Sequence, residues 1–245
     1  MSRTFEVLQK LREDQELFST PRGTTAEIPE SRPTNGKASA LALDALAREE
    51  IRGLVQRLFF VGGEKSPKSV VFCGVDEGRG SSWICASASR SLAAQISAPV
   101  CAVDANLRDP RLKQLLPSEN GTLASKPSEC ELVRPVAENL SLLCGDALGT
   151  NGNGQSLDRL RLTLSDLLSH FNYVLIDAPP IGLSSEAAIL GQWTDGIVLV
   201  LEAHSTRRAA ALKAKQLLDA ANVQLLGTVL NNRTFPIPER LYRRL

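Results

Sequence analysis

Short, continuously apolar runs alternate with helical stretches along the chain after Ser69. Six of the runs have the length of strands: 70–75, 100–104, 140–145, 173–177, 196–202 and 223–231. Helical periodicity lies between them, at 82–95, 157–170, 184–192 and 206–221. Runs that are apolar at every position are typical of parallel strands covered on both faces. The alternation therefore predicts a doubly wound, mostly parallel α/β sheet.

The part of the chain before this region changes character twice. Residues 1–18 have apolar positions near helical spacing, whereas residues 19–38 are rich in Thr, Pro, Gly and Ser, as in a flexible linker. A helical pattern then returns over 39–60, with one broad apolar face made by Leu43, Leu46, Ile51, Leu54, Val55 and Leu58. We therefore expect a mobile N-terminal segment and linker over 1–38 and a single domain over 39–245.

Composition limits the classes of function. The chain has 245 residues, is 43% hydrophobic and carries a formal net charge of +1, so no global field attracts nucleic acid. Its five cysteines form no CxxC pair, which favours reduced, buried thiols. The charged N-terminus has no signal-peptide core, and no apolar run approaches the ~18 residues of a membrane span. We expect a cytoplasmic protein that binds no nucleic acid and reaches the inner membrane only through a partner.

The first predicted strand runs into the segment DEGRGSSW, at 76–83, and then into a helix of small residues. Gly78 and Gly80 permit positive φ, so that loop amides and the helix N-terminus can surround an anion. A Walker loop, GxxxxGK[ST], has a lysine after its second glycine. Aligning that glycine with Gly80 places Ser81 in the lysine position and leaves the Ser82 hydroxyl for Mg²⁺. The loop alone fits either a phosphate site without its lysine or a simple strand–helix turn.

The charges of this loop are unusual for a phosphate site. Asp76 and Glu77 place negative charge at its mouth, and Arg79 is the one cation inside it. Loss of a charge-assisted contact typically costs about 1.5–3 kcal/mol of binding. The cost in phosphoryl transfer is larger, because the lysine also stabilises charge in the transition state. Any catalysis by this loop would depend on Arg79, and the sequence does not fix where its guanidinium points.

Two more predicted strands end in carboxylates. Asp104 ends the strand at 100–104 and is followed by Asn106, while Asp177 ends the run YVLID in a Walker-B-like pattern. Ligands of such sheets bind beyond the carboxyl ends of the strands. A carboxylate at that edge can hold Mg²⁺ or accept a proton from an attacking hydroxyl, although Asp104 can equally cap a turn. We expect Ser82, Asp104 and Asp177 to hold Mg²⁺, and Asp104, Asp177 and Arg79 to be the candidate catalytic residues.

The order of these motifs resembles one family. The runs VVFCGVDEGRGSSW, VCAVDANLRDPRL, FNYVLIDAPP and GTVLNN are similar to the cytoplasmic tyrosine autokinases of bacterial capsule and exopolysaccharide synthesis. These are relatives of the septum-positioning and chromosome-partition ATPases. The resemblance implies a P-loop NTPase-like fold that binds ATP or ADP with Mg²⁺. It also assigns nucleotide contacts to Gly78, Arg79, Gly80, Ser81, Ser82 and, beside the base, Asn231.

The resemblance implies partners as well. The predicted helix at 45–60 carries Glu49, Arg52 and Arg57, as does the family helix that docks onto a neighbouring subunit. A homo-oligomer and a membrane polysaccharide co-polymerase, or chain-length regulator, are the expected partners. The segment PERLYRRL, which contains Tyr242, is expected to be a docking helix with a basic face or a phosphorylation site.

Departures from the family pattern leave three hypotheses open. Ser81 replaces the lysine, Asn106 replaces the second acidic residue, and Tyr242 is the single tyrosine of the tail. We favour a regulator of exopolysaccharide or capsule assembly that keeps the ATPase fold but is impaired in catalysis. The alternative is an active protein-tyrosine autokinase or ATPase that uses Arg79. A partition-type or positioning ATPase is the third.

Overall fold

The computed structural model describes residues 36–118, 133–144 and 155–233. The described residues from Leu41 onward belong to one compact unit. Several predictions fall outside the described residues, among them the helix at 1–18, most of the linker, Cys130 and Tyr242. The division into a segment at 1–38 and a domain at 39–245 stays a prediction.

Helices and strands alternate through the described residues. The helices are α1 (Gly36–Phe59), α2 (Ser81–Ala93), α3 (Leu112–Leu115), α4 (Gln155–His170), α5 (Glu186–Gln192) and α6 (Arg208–Ala220). The strands are β1 (Ser69–Gly74), β2 (Val100–Asp104), β3 (Val133–Ala137), β4 (Leu140–Leu143), β5 (Tyr173–Asp177), β6 (Ile197–Glu202) and β7 (Leu225–Asn231). A short 3₁₀ turn lies at Gly63–Lys65.

The strands form one sheet in the order β3-β4-β2-β5-β1-β6-β7. Every pairing is parallel except that of β3 with β4. Alternate residues of β1 face opposite sides, so Val70 and Phe72 pack with α1, α2 and α3, while Val71 and Cys73 pack with α4, α5 and α6. Each face therefore has its own apolar core, and the predicted doubly wound, mostly parallel α/β fold is confirmed.

Two elements of the described chain were not predicted. The edge strand β3 has the sequence VRPVA, in which a charged residue and Pro135 interrupt the apolar run. Proline removes one ladder hydrogen bond, which an edge strand tolerates. Helix α3 has only four residues, too few for a periodic pattern. Both elements are stabilised by packing, since Leu112 of α3 and Val136 of β3 are buried in the same apolar core.

Helix α1 packs on the sheet through its second half. Ile51, Val55 and Phe59 are buried, and the Phe59 ring meets Tyr173 edge to face, with centroids 5.6 Å apart. The predicted apolar face was wrong at Leu46, which is 52% exposed. The helix also begins at Gly36, so that the last residues of the predicted linker are helical. The apolar face that contacts the sheet is thus shorter than the helical pattern suggested.

Four of the cysteines lie within the described residues. Cys73, Cys85 and Cys101 are buried and Cys144 is half-buried, as the apolar runs around them predicted. Burial, followed by the charge of Asp177, raises the pKa of Cys73 to about 12. Within the part of the chain that the structure describes, no helix is both long and apolar enough to cross a bilayer.

Candidate functional site

The strand order brings the predicted site residues to one edge of the sheet. Strand β5 lies between β2 and β1, and Asp104 is the register partner of Asp177. Phe72 of β1 is the partner of Asp177 on the other side, so the loop that follows β1 begins beside this carboxylate. Partners on neighbouring strands are about 4.8 Å apart along the hydrogen-bonding direction. Both aspartates and the glycine-rich loop are therefore close neighbours.

Backbone contacts continue this arrangement beyond the strand ends. The Ala105 amide donates to the Asp177 carbonyl at 2.9 Å, and the Gly182 amide donates to the Val75 carbonyl at 3.0 Å. A Cβ on Gly182 would lie 2.6 Å from the Val75 oxygen. Only glycine permits this approach, and sequence reasoning missed it, although Gly182 follows the strand-ending prolines closely. The segment after β5 is thus fixed against the start of the loop.

The loop between β1 and α2 is shaped by its glycines. Gly78 and Gly80 have φ values of 73° and 81°, in the left-handed region that favours glycine. Gly80 is the N-cap of α2, and no side chain caps that helix end. The first amides of a helix have no partner within the helix, so they are available to an anion here. The geometry fits the predicted phosphate cradle.

Asn231, at the end of β7, contacts the loop between β1 and α2. Its Nδ2 donates to the Arg79 carbonyl at 3.0 Å, and a Cβ on Gly80 would lie 2.4 Å from the same atom. The resemblance predicted that this residue lies beside the nucleotide base. The structure gives Asn231 a structural contact with the loop, and the base contact stays a prediction.

Four polar side chains at this edge are buried. The exposed fractions are 8% for Ser82, 1% for Asp104, 9% for Asn106 and 0% for Asp177. The Oδ2 of Asp104 accepts a hydrogen bond from the Leu112 amide at 2.9 Å. The turn-capping role that the sequence left open for Asp104 is therefore present, and a metal role for the same carboxylate is taken up below.

Asp177 is the chemically unusual group. Both of its carboxylate oxygens are buried without a hydrogen-bond partner of normal geometry. Burial raises its pKa to about 8; the nearby Ser82 hydroxyl opposes this rise, and the charge of Asp104 adds to it. A buried polar group without a partner is costly, and such groups in native proteins usually have a ligand, ion or water. The oxygen donors of Asp177, Asp104 and Ser82 suit Mg²⁺, which binds proteins through few carboxylates and keeps several waters.

Arg79 makes a different set of contacts. Its Nη1 donates to Glu202 Oε2 at 2.5 Å and also to Ser205 Oγ, while Nη2 lies 3.7 Å from Asp76 Oδ2. These contacts hold the guanidinium at the carboxyl end of β6. Sequence reasoning missed Glu202 and Ser205. The signal for Glu202 was available, since it ends the apolar run IVLVLE as Asp177 ends YVLID.

A surface cleft of about 500 Å³ lies at the opposite edge of the sheet. Its lining includes Ser69, Trp193 and Asp195, which lie at or before the starts of β1 and β6. Burial raises the pKa of Asp195, but hydrogen bonds from the Ser69 and Lys68 amides and the Ser69 hydroxyl lower it to below its usual value. The cleft is separate from the candidate nucleotide site.

Comparison with known proteins is consistent with this geometry. No family model matches the chain. It is 28% identical to tyrosine-protein kinase YwqD of Bacillus subtilis over 196 residues, covering 77% of this chain and 82% of that protein. It is 43% identical to tyrosine-protein kinase CpsD of Streptococcus agalactiae over 61 residues, covering 25% of this chain and 27% of that protein.

A solved structure shares the fold. The kinase domain of the Escherichia coli tyrosine kinase ETK superposes with a TM-score of 0.67 at 22% identity, covering 97% of this chain and 89% of that domain. This likeness shows the fold alone. The chain therefore has the fold of a bacterial tyrosine kinase domain and is similar in sequence to bacterial tyrosine-protein kinases.

Proposed function

We propose that the protein is a nucleotide-binding regulator of exopolysaccharide or capsule assembly in the cytoplasm, with impaired phosphoryl transfer. The observation that carries the proposal is the position of Asp177. Among the described residues, its buried carboxylate has no hydrogen-bond partner of normal geometry. It is the register partner of Asp104 and lies beside a loop whose glycines leave helix amides available. Ser81 at the lysine position supports the impairment.

Different residues of the site would bind the phosphates, the metal ion and the base. The amides of Gly78, Gly80, Ser81 and Ser82 would hold the phosphates of ATP or ADP. The Ser82 hydroxyl and the Asp104 and Asp177 carboxylates would hold Mg²⁺. When bound, Mg²⁺ neutralises charge on the phosphate oxygens and orients them. Asn231 lies against the loop, where we propose that it faces the base.

We expect catalysis to be weak because, among the described residues, no cationic side chain of the site is placed at the phosphates. Ser81 brings no positive charge to the phosphates, and the guanidinium of Arg79 is held by Glu202. Removing one preorganised group that stabilises transition-state charge typically costs about 10²–10³ in rate. The site is therefore better suited to binding a nucleotide than to transferring its terminal phosphoryl group.

Calorimetry and turnover measurements test the two parts of this proposal separately. We expect the purified full-length chain to bind Mg-ADP and Mg-ATP, and Asp177→Ala to lose that binding. We also expect the unmodified protein to hydrolyse Mg-ATP no faster than Asp177→Ala. Absence of nucleotide binding would contradict the site itself. Turnover well above that of Asp177→Ala would contradict only the impairment.

The names of the relatives favour a second candidate, an active protein-tyrosine kinase or ATPase in which Arg79 acts in place of the lysine. It requires the guanidinium to leave Glu202 and reach the phosphates. An anti-phosphotyrosine signal or Mg-ATP turnover that disappears in Arg79→Ala would support this candidate. A signal that survives the substitution would eliminate it.

Partners form the last part of the proposal. Helix α1 exposes Glu49, Arg52 and Arg57, the side chains that the resemblance assigned to docking between subunits. We propose a homo-oligomer formed through this helix and a membrane polysaccharide co-polymerase that recruits it. Sedimentation of the full chain with Mg-ADP, compared with Arg52→Glu, tests the oligomer. If the unmodified chain sediments as a monomer both with and without Mg-ADP, the proposed homo-oligomer is excluded.

A further inference from the structure

Arg79 is held at both its main chain and its side chain. Its carbonyl accepts a hydrogen bond from Asn231 Nδ2 at 3.0 Å, and its guanidinium donates to Glu202 Oε2 at 2.5 Å and to Ser205. The side chains of Arg79 and Glu202 are only 20% and 21% exposed. Partial shielding makes such a pair stronger than an ion pair in open solvent. The guanidinium therefore has a defined position at the carboxyl end of β6.

Glu202 is itself oriented by its neighbours. Its Oε1 accepts a hydrogen bond from Asn232 Nδ2 at 2.9 Å, and its amide donates to Thr206 Oγ1 at 2.8 Å. The hydrogen bond from Asn232, followed by that from Arg79, lowers the pKa of Glu202. The carboxylate is therefore ionised at neutral pH and presents one oxygen to Arg79.

Arg79 is flanked by a glycine on each side. Gly78 and Gly80 are both at positive φ, where glycine has access to conformations that other residues avoid. A Cβ on Gly78 would meet nothing within 4 Å, so there is open space beside it. A small rotation at these glycines would move the guanidinium relative to the first amides of α2. The direction of the Arg79 guanidinium thus depends on which anion it contacts.

Phosphate and carboxylate compete for guanidinium groups, because both accept its hydrogen bonds in the same forked geometry. We propose that Glu202 is a positioning residue that holds Arg79 away from the phosphate loop, and that a bound phosphate group must displace Glu202 to recruit Arg79. Nucleotide affinity is then set by this competition. The inference rests on the proposed nucleotide site and adds a regulator of it.

Glu202→Gln tests the competition, because glutamine keeps the shape of the side chain and removes its charge. Calorimetry with Mg-ADP and with inorganic tripolyphosphate would compare this variant with the unmodified full-length chain. We expect the Kd to fall about tenfold, the equivalent of roughly one charge-assisted hydrogen bond. Glu202→Asp, which keeps the charge, should bind within about twofold of the unmodified chain.

Two controls separate competition from a general change in charge. Glu77→Gln removes the same charge from an exposed position in the loop and should change the Kd by at most about twofold. In the Arg79→Ala background, Glu202→Gln should have no effect beyond that of Glu77→Gln, because the competing cation is gone. Circular dichroism of each variant verifies that the fold is retained.

The outcomes distinguish the two proposals. Binding by the unmodified chain with an equal or higher Kd for Glu202→Gln would overturn the competition and leave the nucleotide site intact. A lower Kd that persists in the Arg79→Ala background would also overturn it, since Arg79 would not be the group released. If neither the unmodified chain nor Glu202→Gln binds Mg-ADP or tripolyphosphate, both proposals fail.

Discussion

Asp104 and Asp177 are register partners at the carboxyl ends of β2 and β5, and both carboxyl groups are buried. Asp104 accepts a hydrogen bond from the Leu112 amide, whereas Asp177 has no partner of normal geometry among the described residues. Two like charges at neighbouring buried positions do not ionise independently. The pair therefore makes the stability of the protein sensitive to pH.

Ionisation of Asp177 should reduce the stability of the protein as pH rises. Its folded-state pKa of about 8 exceeds the ordinary value of 3.8, so the folded state binds the proton more tightly. The stabilisation is complete below pH 4 and is lost as pH rises towards 8. The free energy of unfolding should fall by up to ~1.4 kcal/mol per pH unit over that window. Urea unfolding between pH 5.5 and 8.5 measures this slope, which Asp177→Asn should remove.

Asp195→Asn is the matched control for this slope. Hydrogen bonds lower the folded-state pKa of Asp195, so its contribution is present above its unfolded pKa and is lost only in acid. The control should reduce the free energy of unfolding by a constant amount between pH 5.5 and 8.5. A slope that is the same in Asp177→Asn and in the unmodified chain would show that Asp177 is not the responsible group.

Introducing the missing lysine should strengthen the nucleotide site. Ser81→Lys places an ammonium group at the position that contacts the β- and γ-phosphates in a Walker loop. We expect the Kd for Mg-ATP to fall by about tenfold or more, which corresponds to one charge-assisted contact. Hydrolysis should also rise above that of the unmodified chain. Calorimetry and phosphate release measure the two effects.

Ser81→Gln separates charge from side-chain length in this experiment. It adds a long polar side chain without a positive charge and should give neither effect. Equal gains in both variants would mean that the charge of the lysine is not what the loop lacks. No gain in Ser81→Lys would place the phosphates elsewhere than beside Ser81.

Substitution of Gly80 should disrupt the loop. Alanine there is strained by the φ of 81° and would contact Asn231 Nδ2 at 2.4 Å. The left-handed conformation alone costs about 1–2 kcal/mol, and the contact adds displacement of Asn231. We expect lower stability together with loss of Mg-ADP binding. Gly63→Ala, with a φ of 58° and no atom within 4 Å, should show the strain but retain binding.

Two adjacent phenylalanines test how α1 is attached to the sheet. Phe59 is 2% exposed and contacts Tyr173, whereas Phe60 is 41% exposed. Phe59→Ala should destabilise the protein by about 3–5 kcal/mol, as expected for a large buried side chain. Phe60→Ala should cost less than about 1 kcal/mol. Equal losses in urea unfolding would contradict the packing of α1 described above.

The pattern of apolar residues alone was sufficient to predict most strands of the sheet. The six predicted strands are all present. Five of them lie inside the sheet, where parallel strands covered on both faces are mostly apolar, whereas β7 is a partly exposed edge strand. Pro135 hid the edge strand β3 for the opposite reason, since an edge position tolerates residues that interrupt the pattern. Leu46 shows what the pattern cannot predict for a helix. Periodicity identifies the apolar face of α1 but not how many of its turns contact the sheet.

The site was predictable only in part. Apolar runs that end in Asp104 and Asp177 indicated that both residues lie at the carboxyl edge of the sheet, but their adjacency depends on the strand order, which no local pattern encodes. The direction of Arg79 depends on Glu202, which lies 123 residues away along the chain. Contacts at such a separation follow from the fold as a whole. For this reason the loop resembled a phosphate site in sequence while the position of its cation remained open.

The contact between Asn231 and the Arg79 carbonyl spans 152 residues. A ribosome must therefore synthesise the chain through β7 before the loop after β1 can acquire its final shape, although that loop emerges much earlier. A nascent or prematurely terminated chain that lacks β7 has the glycines and the first strands but not the amide that fixes them. The loop thus reaches its final shape only after translation has passed β7.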